Sequence, residues 1–184
     1  MLRFWQHGFG ATSMDDLVRS TGVSRHSIYS QFGGKGELFA ACLDAYVLAV
    51  VTPAFAQVEA PGATLDAITA YFEQQIACGE AAGLPGFGCL MATTMTEVAP
   101  CNGAVAAIVA RHNGRLQSGF CAALKNTSRG AGRMSASRST DDLALALVVF
   151  ANGLWSFSRT VSDARPLRSA THEMLLLTRE RNSR

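Results

Sequence analysis

The 184-residue sequence is short of charge. Only 16% of it is Asp, Glu, Lys or Arg, against 48% hydrophobic, so the chain can bury a substantial core. A formal net charge of +2 does not announce a nucleic-acid partner, and any basic patch has to be local. Strand signals are missing: no alternating run bounded by turns occurs, and almost every segment carries a helical period. No run of about 18 apolar residues stands out. The longest candidate, Leu143–Phe157, is broken by Asn152, Gly153 and Ser156. The opening MLRFWQHGFG has no apolar signal-peptide core. The expectation is a soluble, cytoplasmic protein with no membrane partner.

Pairing signatures are also missing. Cys42, Cys78, Cys89, Cys101 and Cys121 are odd in number, widely spaced and without a C-x-x-C pair. Four of them sit in apolar helical surroundings, so buried, reduced thiols are expected. The stretch GGKG (33–36) lacks the Ser or Thr that a phosphate loop needs after Lys. GLPGFG (83–88) has its glycines in the order G-x-x-G-x-G, with no strand before it. His172-Glu173 has no second His, and no Ser lies within G-x-S-x-G. We expect no catalytic residue, no metal site and no cofactor.

What is present is helix. The spacing predicts an all-α fold of about nine helices. Leu2–His7 is stopped by Gly8. Ser13 caps a helix whose inward stripe is Met14, Leu17 and Val18, and Gly22 ends it. Ser24 caps the next, with Ile28 and Phe32 inward. After Gly33-Gly34 a longer helix starts near Lys35 and runs towards Val51, with Pro53 ending or kinking it. Further helices cover Thr64 to about Ala81, Cys89–Val98, roughly Ala104–Asn126, Asp141–Arg159 and Leu167–Arg181. The small, polar stretch 127–140 reads as a flexible loop. A composition shift near residue 45 divides the chain into 1–45 and 46–184.

The first part has the makings of a helix–turn–helix. Met14, Leu17, Val18, Val23 and Ile28 supply packing, and Gly22 supplies the turn. Ser24, Arg25, His26 and Ser27 stand at the exposed start of the second helix, where side chains reach base edges in the major groove. From Leu17 to Gly36 there is no acidic residue, while Arg19, Arg25 and Lys35 are basic. Arg25 suits guanine through its two-pronged fork. Ser24, Tyr29, Gln31 and Lys35 suit phosphate contact, which sets register without reading sequence.

The stretch GFGATSMDDLVRSTGVSRHSIYSQFGGKGELFAACL (Gly8–Leu43) resembles the N-terminal signature of the TetR family of transcriptional regulators. Thr12-Ser13, Gly22-Val23-Ser24, Ile28-Tyr29, Phe32, Lys35 and Leu38 match it in register. PGFGCLMATTMTEVAP (85–100) resembles a Gly-Cys-Leu run in the ligand domains of one branch of that family. The resemblance implies that 1–45 binds a double-stranded DNA operator, with Thr12 and Ser13 joining the contact set. It implies that 46–184 is a helical domain that binds a small-molecule effector and dimerises through the last two helices.

The residues agree with that implication. Asp141–Arg159 is apolar nearly all round, and a second buried side suits another copy of the chain. Ligand candidates on the inner faces of the middle helices are Phe72, Ile76, Met91, Met95, His112, Phe120, Phe150 and Trp155. Their apolar character points to a hydrophobic or aromatic effector. The function expected is a ligand-responsive repressor acting as a homodimer on a palindrome. In this reading the effector shifts the dimer towards a state unfit for DNA, with the fourth helix as transmitter. A helical protein-interaction module without DNA binding is the alternative that the pattern leaves open.

Overall fold

The computed structural model describes residues 1–130 and 137–182. All regular structure among them is helical, in nine helices. α1 is Leu2–His7, α2 Met14–Thr21 and α3 Arg25–Phe32. α4 covers Lys35–Glu59. It passes through a π-turn at Val47–Val51 and resumes α geometry over Thr52–Glu59. α5 is Leu65–Ala82, α6 Leu90–Glu97, α7 Gly103–Gly130, α8 Ser137–Phe157 and α9 Arg165–Asn182.

Local chemistry sets the short helices. Ser13 opens α2 with a capping box: its hydroxyl accepts from the Asp16 amide at 3.1 Å, and the Asp16 carboxylate accepts from the Ser13 amide at 3.0 Å. Gly22 closes α2 in the left-handed conformation at φ +70°, which glycine adopts without a Cβ clash. Ser24 opens α3 by accepting from the Ser27 amide at 3.1 Å.

Several expectations change. Pro53 does not end α4. Proline lacks a donor and crowds the carbonyl one turn back, and the π-turn just upstream loosens the helix at that place. Phe32 is 36% exposed rather than inward; Ile28 alone in α3 is buried. The stretch 127–140 is not all loop. Thr127 and Ser128 belong to α7, where each hydroxyl donates back four residues, to the Ala123 and Leu124 carbonyls, and each also bonds another helix or its cap. Ser137–Thr140 open α8, and 131–136 lie outside the described residues. Of the five thiols only Cys42 is buried, and Cys78 and Cys101 are exposed.

The chain divides into two compact units, one of Met1–Val51 with Cys89–His112 and the other of Thr52–Gly88 with Asn113–Arg184. In the first, Phe4, Leu17, Ile28, Phe39 and Leu43 share a core with Leu90, Met91, Val98 and Val105. The three N-terminal helices therefore rest on residues from far along the chain. In the second, Phe55, Ile68, Phe72, Phe120, Leu124, Leu147 and Leu154 form the core. A half-buried fork ties α4 to α7 there: Arg115 Nε and Nη2 donate to the Glu59 carboxylate at 2.7 and 2.6 Å, and Nη1 donates to the Thr52 hydroxyl at 2.8 Å.

By length and composition Lys35–Glu59 is apolar enough to cross a membrane, a run that interruption by Asp44 conceals on inspection. Its large apolar side chains Phe39, Leu43, Tyr46, Phe55 and Val58 lie instead in the cores of the units to which they belong.

Candidate nucleic-acid interface

The α2–turn–α3 pair is held by few apolar contacts, since each helix is only eight residues long. Leu17 from α2 and Ile28 from α3 are buried in the first unit's core. With Ile28 inward, His26 and Ser30 lie across the helix from it, Tyr29 lies to one side and Arg25 stands at the open first turn, and all four are exposed. Ser24 and Gln31 flank that face and are also exposed, whereas Ser27 is half-buried and its hydroxyl lies 2.9 Å from that of Ser24. Ser30 shares the face although the sequence reading omitted it; its signal was the four-residue spacing from His26.

The guanidinium of Arg25 pairs with Asp15 of α2, and both side chains are more than half exposed. Such a pair is weak in water and readily exchanged for another anion. Arg19 pairs with Asp16 at 3.1 Å.

Three expected contact residues are engaged within the protein. Thr12 is fully buried, and its hydroxyl donates to the Gly8 carbonyl at 2.7 Å. The Ser13 hydroxyl serves the α2 cap. Lys35 turns inward: its Nζ donates to the Phe9 and Thr12 carbonyls, each at 3.0 Å, and stands 4.1 Å from the centre of the Phe9 ring. These contacts make Lys35 a clamp on the turn between α1 and α2.

The same turn is held from its donor side. Glu97, at the end of α6, accepts the Phe9 amide through Oε2 at 3.0 Å and the Gly10 amide through Oε1 at 2.6 Å. An ammonium on the carbonyls and a carboxylate on the amides together fix the backbone on which α2 starts. The sequence reading missed Glu97, because nothing local distinguishes it from an ordinary helix-surface acid.

The ligand candidates do not form one group. Phe72, Ile76, Phe120, Phe150 and Trp155 gather in the second unit. Phe72 lies 5.5 Å from Phe150, 6.1 Å from Trp155 and 6.1 Å from Phe120, between ring centres. Phe150 and Trp155 are half-buried and the other three are buried. Met91, Met95 and His112 belong to the first unit, where Met91 is fully buried in the core that carries α2 and α3.

Comparison with known proteins decides the family. Residues 3–42 match the profile described as bacterial regulatory proteins, tetR family, and residues 64–174 match that of the tetracyclin repressor-like C-terminal domain. The chain belongs to the TetR family. Among curated TetR relatives, the HTH-type transcriptional repressor ComR of Escherichia coli is 35% identical over 107 residues, 58% of this chain and 50% of that protein. The uncharacterized HTH-type transcriptional regulator YezE of Bacillus subtilis is 30% identical over 73 residues, 40% of this chain and 38% of that one. The chain thus spans about half or less of the curated relatives it matches.

Solved structures agree on the fold. Regulatory protein TetR from Rhodobacter sphaeroides superposes with a TM-score of 0.79 at 18% identity, over 95% of this chain and 93% of that one. The reduced form of NemR from E. coli superposes with a TM-score of 0.75 at 18% identity, over 94% and 89%. The all-helical TetR architecture, with its N-terminal helix–turn–helix, is the fold of this chain.

Proposed function

We infer that this TetR-family chain is a sequence-specific DNA-binding repressor, released from its operator by a small apolar molecule. The single observation that carries the reading is the exposed face of α3, where Arg25, His26, Tyr29 and Ser30 stand clear of the core that holds Ile28. An exposed helix start with a guanidinium and an imidazole suits base edges in a major groove. Residues 1–45 bind DNA, and 46–184 supply effector binding and dimerisation. A chromosomal target places the protein in the cytoplasm.

The homodimer forms through α8 and α9. Leu145, Val149, Gly153 and Phe157 recur every four residues along α8 and are exposed, Val149 by 64%. Leu176 and Leu177 add exposed apolar surface on α9. Contiguous apolar surface of this kind marks an interface, and a two-fold pair of α3 helices matches a palindrome. The effector enters among Phe72, Phe120, Phe150 and Trp155, with the half-buried Phe150 and Trp155 as its point of access. Its binding favours a dimer whose α3 helices no longer fit successive grooves, a coupling of about 1–3 kcal/mol. α4 is the covalent link that carries the change.

Selection of bound sequences from random duplex DNA by the full chain tests the reading. A palindromic motif is expected. A pool with no enriched motif sinks it and favours a protein-interaction module.

A further inference from the structure

Lys35 closes the α2–turn–α3 segment on itself. It is the first residue of α4, just past the end of α3, and its Nζ bonds the carbonyl of Thr12, just before the Ser13 cap of α2. Two points 23 residues apart, at the two ends of the segment, are thus tied together. The tie matters because little else sets the angle between the helices. α2 buries Leu17 alone, α3 buries Ile28 alone, and the link between them turns on Gly22.

The Lys35 ammonium is engaged inside the protein. It has three N–H donors, and two serve the Phe9 and Thr12 carbonyls. The half-buried charge also stands over the Phe9 ring. Phe9 packs in turn on Phe39, 4.9 Å away between ring centres and one turn beyond Lys35 on the same side of α4. The chain that leads into α2 is therefore seated on the start of α4. Glu97 holds that chain by the Phe9 and Gly10 amides, from α6.

We propose that Lys35 and Glu97 are positioning residues for DNA reading: they set the direction in which α3 presents Arg25 and His26, and neither touches the duplex. The proposal rests on the regulator reading and replaces the phosphate contact that the sequence suggests for Lys35. Attraction to phosphates needs only positive charge near the duplex, whereas base reading needs α3 at one angle. Loss of either residue therefore weakens binding to the correct site and spares binding to any other.

The test uses the full chain, a duplex carrying the motif that the parent selects from random DNA, and a scrambled duplex of the same composition. Fluorescence anisotropy across a salt series reads the affinity for each. Lys35→Met should lower the ratio of motif to scrambled affinity about tenfold, and Glu97→Gln, which turns one acceptor into a donor facing an amide, about fivefold. The slope of log affinity against log salt on the scrambled duplex should stay at the parent's value in Lys35→Met, because a lost phosphate contact would reduce it by about one per subunit. Glu97→Gln supplies the opposite sign: removing a carboxylate near a polyanion tightens binding through charge alone. Thermal melts show that each variant is folded at the assay temperature.

A reduced salt slope with the motif preference intact in Lys35→Met makes Lys35 a phosphate contact and overturns the proposal. So does a Glu97→Gln variant that discriminates as well as the parent. A parent that selects no motif sinks the regulator reading itself, whereas a discriminating parent with equally discriminating variants sinks the positioning role alone.

Discussion

Gly10 has no side chain where Glu97 needs the room. A β-carbon on Gly10 would stand 3.0 Å from the Glu97 carboxylate oxygen that accepts its amide. At Gly8 the corresponding distance is 2.7 Å, and the backbone there is also left-handed, at φ +82°. Gly10 is a glycine for Glu97 alone, whereas Gly8 has two reasons.

The two positions should therefore separate in a double-mutant cycle. Glu97→Ala leaves two amides without their acceptor and should cost about 1–3 kcal/mol of stability. Gly10→Ala should destabilise the parent and be nearly neutral once Glu97 is alanine. Gly8→Ala should destabilise both. Denaturant unfolding measures all the variants. Additive effects of Gly10→Ala and Glu97→Ala would show that the contact does not constrain the turn.

Arg25 must leave Asp15 to reach a base. The pair is exposed on both sides, so its release costs little, about 0.2–1 kcal/mol. Asp15→Asn should raise operator affinity by up to about fivefold at low salt. Arg25→Ala should lower it by about 1–3 kcal/mol and relax preference at one base position. Fluorescence anisotropy at fixed ionic strength reads both changes. If neither variant differs from the parent, Arg25 does not touch the duplex.

A charge placed among the exposed apolar residues of α8 should split the dimer. Val149 is 64% exposed in the single chain, and Leu177 of α9 is 58% exposed. Val149→Glu would bury a carboxylate in the paired state at a cost of several kcal/mol. Sedimentation equilibrium should report a monomer for the variant and a dimer for the parent. Melting of the helices should change little, because Val149 leaves its own core untouched. A variant that still sediments as a dimer would place the interface elsewhere.

Acid should undo the start of α2. Hydrogen bonds from the Ser13 side chain and then its amide, with help from Arg3 and Arg19, hold the Asp16 carboxyl below its ordinary value. The unfolded chain thus takes up this proton at higher pH than the folded one. The stabilisation is complete above the unfolded value of about 4 and is lost as pH falls through the folded one. Asp16→Asn should melt earlier than the parent at neutral pH, and the gap should close on acidification. A gap that does not narrow as the pH falls below about 4 would mean that charge on Asp16 is not the cause.

What the sequence made legible was local. Ser13, Gly22 and Ser24 act on backbone within three or four residues, so spacing alone placed both ends of α2 and the start of α3. Lys35 was misjudged because its carbonyl acceptors, on Phe9 and Thr12, lie 26 and 23 residues away. Its charge was visible and its direction was not. Phe32 kept the right spacing for burial, but an eight-residue helix ending at Gly33 offers no wall to cover it. Met91 shared the apolar pattern of Phe72, and only the fold could show that they belong to different cores.

The first turn of α5 borrows from a distant helix. The Leu65 amide donates to the Thr127 hydroxyl at 2.7 Å, and Asn126 returns a bond to the Ala63 carbonyl at 2.9 Å. The partners stand 62 and 63 positions apart in the chain. On a ribosome, α5 emerges well before either partner exists, and its leading edge must wait frayed until residue 127 has been synthesised. A chain cut short ahead of Asn126 would leave that edge open to proteases, and one carrying Thr127 clear of the ribosome could seal it.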